Sequence, residues 1–251
     1  KGLVMRTVCA VAVRMGSTRL PGKTLIDVNG EPLLRHLLKR LNNCHRLDHI
    51  VVATTCLPED DVIEAYCREN SVTCFRGSPT DVLGRLTSAY GEAQATVGVV
   101  VYGDGPLIDP TIIDHAVELF ELSGECDFVG NDLKTTFPAG MEVEVFRIDS
   151  LVRSEALCAD DAIREHGTLF LRQNTDMFRV SNFEASGNLR RPDLSLEVDT
   201  WEDLKVCDRI VGHLNAISSF SLTDIIDFVD AQNLSKLNQH VQRRWKEYRL
   251  E

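Results

Sequence analysis

One ten-residue stretch, Arg14 to Lys23 (R-M-G-S-T-R-L-P-G-K), concentrates the residue types that hold a polyphosphate. Arg14, Arg19 and Lys23 supply cationic side chains, Ser17 and Thr18 supply hydroxyl donors, and Gly16 and Gly22 let the backbone bend toward a phosphate. Five residues separate Gly16 from Gly22, whereas a P-loop needs four, and Leu25 to Val28 reads as extended rather than helical. An ATPase or kinase of that class is therefore disfavoured. The alternative, a solvated basic turn without a ligand, accounts less well for glycines and hydroxyls placed among the charges directly after an apolar run.

Two carboxylates stand at comparable junctions. Asp104, in Y-G-D-G-P-L, lies between glycines just after an apolar run, where a carboxylate can reach a divalent cation. Asp199, in L-E-V-D-T-W-E-D-L, opens a helical segment, and two such carboxylates together with phosphate oxygens suit Mg2+. Asp199 serves equally well as an ordinary helix N-cap. On a third segment Arg164, Glu165 and His166 put an Arg and a His where they could clamp an acidic acceptor, with a solvated helix face as the equal alternative. Glu142 and Glu144 alternate on an expected strand and so share a face, toward acceptor hydroxyls or toward solvent.

The elements that must position these residues follow from periodicity. Apolar, β-branched runs at Thr7 to Val13, His49 to Thr54 and Val97 to Tyr102 predict strands, each followed by loop residues and a segment of helical period. Helices are expected at Pro32 to Leu41, Pro58 to Glu69, Asp81 to Ala93 and Pro110 to Leu122, with proline near three of the starts. Farther on, Asp127 to Val129, Met141 to Phe146 and Met177 to Asn182 read as strands. Asp149 to Ala156, Asp161 to Arg172, Trp201 to Leu214 and Leu222 to Arg249 read as helices, the last with a basic end at Arg243, Arg244, Lys246 and Arg249. This alternation implies an α/β fold: three layers, a mainly parallel Rossmann-like sheet with helices on both faces. Ligands of such sheets bind at the carboxyl ends of the strands, where the Arg14 to Lys23 stretch lies.

The 251 residues read as a single domain, with a core over 5–215 and a helical extension over 216–251. Lys and Arg number 27 against 38 Asp and Glu, and a net charge of −11 argues against nucleic acid and anionic membrane as partners. The eight cysteines show no C-x-x-C pair and read as buried thiols in a reducing compartment. The start K-G-L-V-M-R lacks the apolar core of a signal peptide and no long apolar run occurs, so a cytoplasmic protein is expected.

The decapeptide, together with V-V-A-T-T-C-L-P-E-D-D (Val51 to Asp61), F-R-G-S-P-T-D-V-L (Phe75 to Leu83) and V-Y-G-D-G-P-L-I-D-P (Val101 to Pro110), resembles the sugar-acid cytidylyltransferases. These include 3-deoxy-manno-octulosonate cytidylyltransferase and, closer still, the spore-coat polysaccharide type. The resemblance spans most of residues 7–210. It implies a nucleotide-diphospho-sugar transferase type of fold and transfer of CMP from CTP to an acidic sugar or similar acceptor, with release of pyrophosphate. It implies a triphosphate held by Arg14, Ser17, Arg19 and Lys23, a base near Thr54, Thr55, Arg76 and Ser78, and Mg2+ on Asp104 and Asp199. A homodimer is implied too, through the region between Phe128 and Phe146. The acceptor segment departs from the octulosonate enzymes and leaves the sugar unnamed.

The expected reaction is in-line attack by an acceptor oxygen on the α-phosphorus, with Arg14, Lys23 and Asp104 carrying most of the chemistry by positioning and charge neutralisation. Three rivals stand beside it. A sugar-phosphate nucleotidyltransferase would use another triphosphate, a glycosyltransferase would normally carry an Asp-x-Asp motif that no strand end shows here, and a non-catalytic protein would bind the nucleotide without turnover.

Overall fold

The structure, a computed structural model, describes residues 5–214 and 219–243. Strand β1 (Thr7–Ala12) leads through the cationic loop and a 3-10 turn at Lys23–Leu25 to a hairpin of β2 (Asp27–Val28) and β3 (Glu31–Pro32), then to α1 (Leu33–Leu41). The alternation continues with β4 (His49–Thr55), α2 (Asp61–Glu69), β5 (Thr73–Gly77), α3 (Val82–Glu92), β6 (Val97–Tyr102) and α4 (Pro110–Ser123). After it come β7 (Phe128–Gly130), β8 (Glu144–Arg147), α5 (Ile148–Leu157), α6 (Asp161–Arg164), α7 (Leu169–Gln173), β9 (Val180–Asn182), α8 (Trp201–Leu214) and α9 (Leu222–Gln232).

The main sheet has seven strands in the order β5-β4-β1-β6-β8-β7-β9. Strands β5, β4, β1 and β6 run parallel, and β8 pairs antiparallel with both β6 and β7. Because successive side chains of a strand point to opposite faces, β1 feeds two cores: Cys9 and Val11 pack on one side, Val8 and Ala10 on the other. The first core takes the apolar faces of α1, α4, α8 and α9; the second takes Leu83 and Leu86 of α3, Leu151 of α5 and Leu171 of α7. Helices thus cover both faces, as the alternating pattern predicts. Leu222, Ile225, Ile226 and Val229 of α9 join the same cluster as β1, so this part of the C-terminal extension packs into the first core.

Several local expectations change. Strand β5 was not legible, since its T-C-F-R-G is only half-buried and carries an arginine at a sheet edge. Leu25 closes the 3-10 turn, whereas Ile26 to Val28 is extended as expected, and the chain then turns at Asn29 (φ 51°) and Gly30 (φ 84°), the positive-φ pair that a two-residue hairpin requires. The expected helix over Asp161 to Arg172 is broken at Gly167, whose φ of 58° interrupts the ladder. The final helix ends at Gln232, where Asn233 adopts a left-handed cap at φ 53°. Arg244, Lys246 and Arg249 lie outside the described residues, as does the 215/216 boundary. Cys56 is exposed and Cys44, Cys74 and Cys126 are half-buried, so only Cys9, Cys67, Cys158 and Cys207 fit the reading of buried thiols. Phe128 and Phe146 are core residues on neighbouring strands.

Candidate active site

The cationic loop is folded back on itself at the carboxyl end of β1. The Met15 carbonyl accepts from the Ser17 N–H at 2.8 Å and the Gly22 N–H at 3.2 Å, while the Met15 N–H donates to Asp60 Oδ1 at 2.7 Å. Thr24 Oγ1 donates to the Arg14 carbonyl at 2.9 Å, and Leu20 is sunk in the core as an anchor. Gly22 sits at φ 71°, a conformation that side chains rarely adopt. With the loop pinned, Arg14, Gly16 and Thr18 stay exposed and Ser17 and Arg19 half-exposed around the strand end.

Asp199 meets this loop from the far end of the chain. Arg19 Nη2 lies 2.5 Å from Asp199 Oδ2, and Lys23 Nζ lies 2.8 Å from Asp199 Oδ1 and 3.8 Å from Asp104 Oδ2. The N-cap role expected of Asp199 falls to its neighbours. Asp203 Oδ2 accepts from the N–H groups of Asp199 and Thr200 and from Thr200 Oγ1, and Thr200 Oγ1 in turn accepts from the Asp203 N–H. Capping of α8 is a Thr200–Asp203 affair, which leaves the Asp199 carboxylate to face the cations. The Val198 N–H donates to the Asp104 carbonyl at 2.7 Å and ties the two acidic turns together. Only glycine fits where a third segment crosses them: a Cβ on Gly105 would lie 2.7 Å from the Gly140 carbonyl oxygen, and one on Gly140 would lie 2.7 Å from the Glu197 nitrogen.

Beside this junction opens a cavity of about 270 Å³ whose polar lining includes Asp104, Glu142, Glu144, His166, Arg172 and Glu197. Burial pushes the Glu197 carboxyl up to about 8, reinforced by Asp104, Glu142 and Asp199, and Arg243 opposes the shift. Burial likewise raises Asp104 against the pull of Lys23. At the cavity floor Thr168 Oγ1 donates to Glu144 Oε2 at 2.6 Å, and Arg172 pairs with Glu144 at 3.1 Å and with Asp132. The Glu144 carboxyl is pushed up to about 7, mainly by burial, with Arg172 opposing. Burial also holds the His166 imidazole below its ordinary value. Glu142 Oε2 accepts from the Gly140 N–H at 2.7 Å.

The expected Arg164–His166 clamp is not assembled. Arg164 pairs with Asp81 at 2.5 Å and donates to the carbonyls of Glu155 and Cys158, fastening α6 to α3 and α5, while His166 lines the cavity at the break before α7. Of the four residues expected near the base, three have local tasks. Thr55 Oγ1 bonds Asp60, which in turn holds Met15. Arg76 donates to the carbonyls of Thr55 and Leu57 and pairs with Asp61 and Glu64, and Ser78 Oγ accepts from the Asp81 N–H. Thr54 alone keeps a buried hydroxyl without a hydrogen-bond partner among the described residues.

Comparison with known proteins places this fold in a family. The model of a family described as cytidylyltransferase matches residues 8–212. The chain belongs to the cytidylyltransferase family. It is similar to the Uncharacterized protein MJ1063 of Methanocaldococcus jannaschii, 33% identical over 246 residues with 98% of each chain covered. It is also similar to the Spore coat polysaccharide biosynthesis protein SpsF of Bacillus subtilis, 32% identical over 86% of this chain and 92% of that one. Among solved structures, a cytidylyltransferase from Leptospira borgpetersenii superimposes with a TM-score of 0.87 at 30% identity, covering 96% of this chain and 100% of the other.

For a cytidylyltransferase, the residues that sequence reading passed over are informative. Arg85, on α3, is 4% exposed and its Nη1 donates to the Ser78 carbonyl, while its Nε has no partner among the described residues. Burial and the neighbouring Arg14 both hold its pKa down, so two cations stand near one another at this end of α3. The signal was present in L-G-R-L, an arginine set among the apolar residues Leu83 and Leu86 of one helix face. Arg172 carried a similar signal beside Leu169 and Leu171, whereas Arg243 had none that ties it to residues 197–203.

Proposed function

We propose that this cytidylyltransferase uses a divalent metal, Mg2+, to transfer CMP from CTP to an oxygen of an acidic sugar or similar acceptor, releasing pyrophosphate in surface polysaccharide or glycoconjugate synthesis. The observation that carries the reading is Lys23, whose ammonium stands between Asp104 and Asp199 at the mouth of the cationic loop. One cation already sits against both carboxylates, so the pair offers hard oxygen donors around a place fit for a cation, in the manner of Mg2+ bound by one or two carboxylates plus phosphates. Asp104 and Asp199 would hold the metal, which when bound supplies charge neutralisation at the α-phosphate and a more acidic attacking hydroxyl.

The chain's own residues do the rest. Arg14, Arg19 and Lys23 neutralise the triphosphate and the departing pyrophosphate, with Ser17, Thr18 and the loop N–H groups as further donors. Arg19 and Lys23 exchange Asp199 for phosphate oxygens when the nucleotide enters, and the Asp199 carboxylate so released is the one that would hold the divalent cation. The acceptor occupies the adjacent cavity, its hydroxyls toward Glu142 and its carboxylate toward His166 and Arg172. Residues at the ends of β4 and β5, Thr54 foremost, lie on the side of the base. The cytoplasm is the setting and a homodimer the working form, both supported by the resemblance to sugar-acid cytidylyltransferases.

Pyrophosphate release tests this, with CTP, ATP, GTP and UTP each offered with Mg2+ to a panel of 2-keto sugar acids, sugar phosphates and phosphonates. Release with CTP and one acidic acceptor is expected, and Asp104→Asn should lower it by about 100- to 1000-fold. Release with another triphosphate and a sugar phosphate would overturn the assignment, as would full turnover in Asp104→Asn.

A further inference from the structure

The segment Asn238 to Arg243 reaches the site. Asp203, 1% exposed, holds the N–H groups of Asp199 and Thr200 and so fixes the turn from which the Asp199 carboxylate projects. A carboxylate buried to that degree needs a cation and hydrogen bonds. They come from the C-terminal segment. Arg243, its side chain 7% exposed, grips Asp203 with both nitrogens, Nη2 to Oδ1 at 2.7 Å and Nη1 to Oδ2 at 3.0 Å, and Asn238 Nδ2 adds a bond to Oδ1 at 2.8 Å. Two further contacts reach the site from the same segment. Arg243 Nη1 lies 3.2 Å from Glu197 Oε1 on the cavity wall, and the Gln242 carbonyl accepts from Arg19 Nη1 at 3.3 Å.

We propose that the segment from Asn238 to Arg243 is a working part of the active site and that Arg243 is a positioning residue, setting the Asp199 turn for metal through Asp203. The proposal rests on the reading of Asp199 as a metal-facing carboxylate. A bidentate guanidinium is suited to this task because it fixes the plane of the Asp203 carboxylate as well as its charge, and that plane aims Oδ2 at the two N–H groups. Groups that orient metal ligands from behind typically govern metal affinity or activity by 10- to 100-fold when altered. Glu197 is held by the same guanidinium, so one side chain links the metal turn to the acceptor cavity.

The test is calorimetric titration of the full chain with CTP, in the presence and absence of Mg2+, which needs no acceptor. In the parent chain Mg2+ should tighten CTP binding. Arg243→Met should lose about 10- to 100-fold of that Mg2+-dependent gain, with a smaller change in metal-free CTP binding, and Arg243→Lys should recover part of it. Asp199→Asn, measured in parallel, separates the two layers of reasoning. If Asp199→Asn keeps the whole gain, the metal reading itself fails. If Asp199→Asn loses the gain while a folded Arg243→Met keeps it, the role of the C-terminal segment is refuted, even where the melting temperature has fallen. Should Arg243→Met not fold, Asn238→Ala removes one bond to Asp203 and must lower the gain in the same direction; an unaltered gain there overturns the proposal equally.

Discussion

Lys23→Met is the most exacting test of the charge arrangement, because this one ammonium serves both aspartates. It lies 2.8 Å from Asp199 and 3.8 Å from Asp104. At an effective dielectric of about 20 these separations correspond to about 6 and about 4 kcal/mol of Coulomb attraction before desolvation. Desolvation takes back most of this, and removing one partner of a well-buried pair costs about 3–5 kcal/mol. Asp199 keeps Arg19 at 2.5 Å, and the Asp104 side chain is 35% exposed. The expected loss therefore falls below that range, at about 2 kcal/mol. For a chain of this size that lowers the melting temperature by roughly 4–8 °C. Pyrophosphate release with CTP and the acceptor found by the panel should fall by about 100- to 1000-fold, the usual cost of deleting one preorganised charge at a reacting phosphate. A second readout concerns the metal. With the ammonium gone, two carboxylates face one another across the space it filled, so Mg2+ should raise the melting temperature of Lys23→Met by more than that of the parent. Parental turnover in the variant would refute the role of Lys23, and equal Mg2+ stabilisation of both proteins would refute the shared cation place between Asp104 and Asp199.

Two further outcomes are expected. Arg85→Met removes a buried cation with no ion pair among the described residues, so it should leave the melting temperature nearly unchanged or raised while weakening CTP binding by about 10-fold or more, measured by calorimetry; unchanged CTP affinity would assign Arg85 to packing alone. Glu144, raised from 4.5 to about 7 in the folded chain, binds a proton on folding between those values, so its contribution to stability is fully present below pH about 4.5 and is lost as pH rises through about 7. Denaturant unfolding across that window should show stability declining with pH in the parent and a flatter profile in Glu144→Gln; identical slopes would show that Glu144 does not titrate there.

Much of this site is legible along the chain. The loop from Arg14 to Lys23 stands out because the glycines, hydroxyls and cations proposed to meet phosphate fall within one short stretch, and such local demands are written in consecutive residues. The same holds for the alternation of β1, β4 and β6 with their helices, since burial on both sheet faces imposes apolar runs. Asp104 between its glycines is marked in the same local way. What could not be read locally is which of two equivalent neighbours does which task. Asp199 and Asp203 both suit a helix start, and only the packed structure, by placing Arg243 against Asp203, commits one to capping and leaves the other facing Lys23 and Arg19. Arg164 and Arg172 are likewise interchangeable in a charge pattern, yet the break at Gly167 turns one toward Asp81 and the other into the cavity. The reason is physical: a charged side chain takes the counter-charge that tertiary packing brings within a few ångströms, and for Lys23, Asp203 and Glu144 that partner comes from 28 or more residues away.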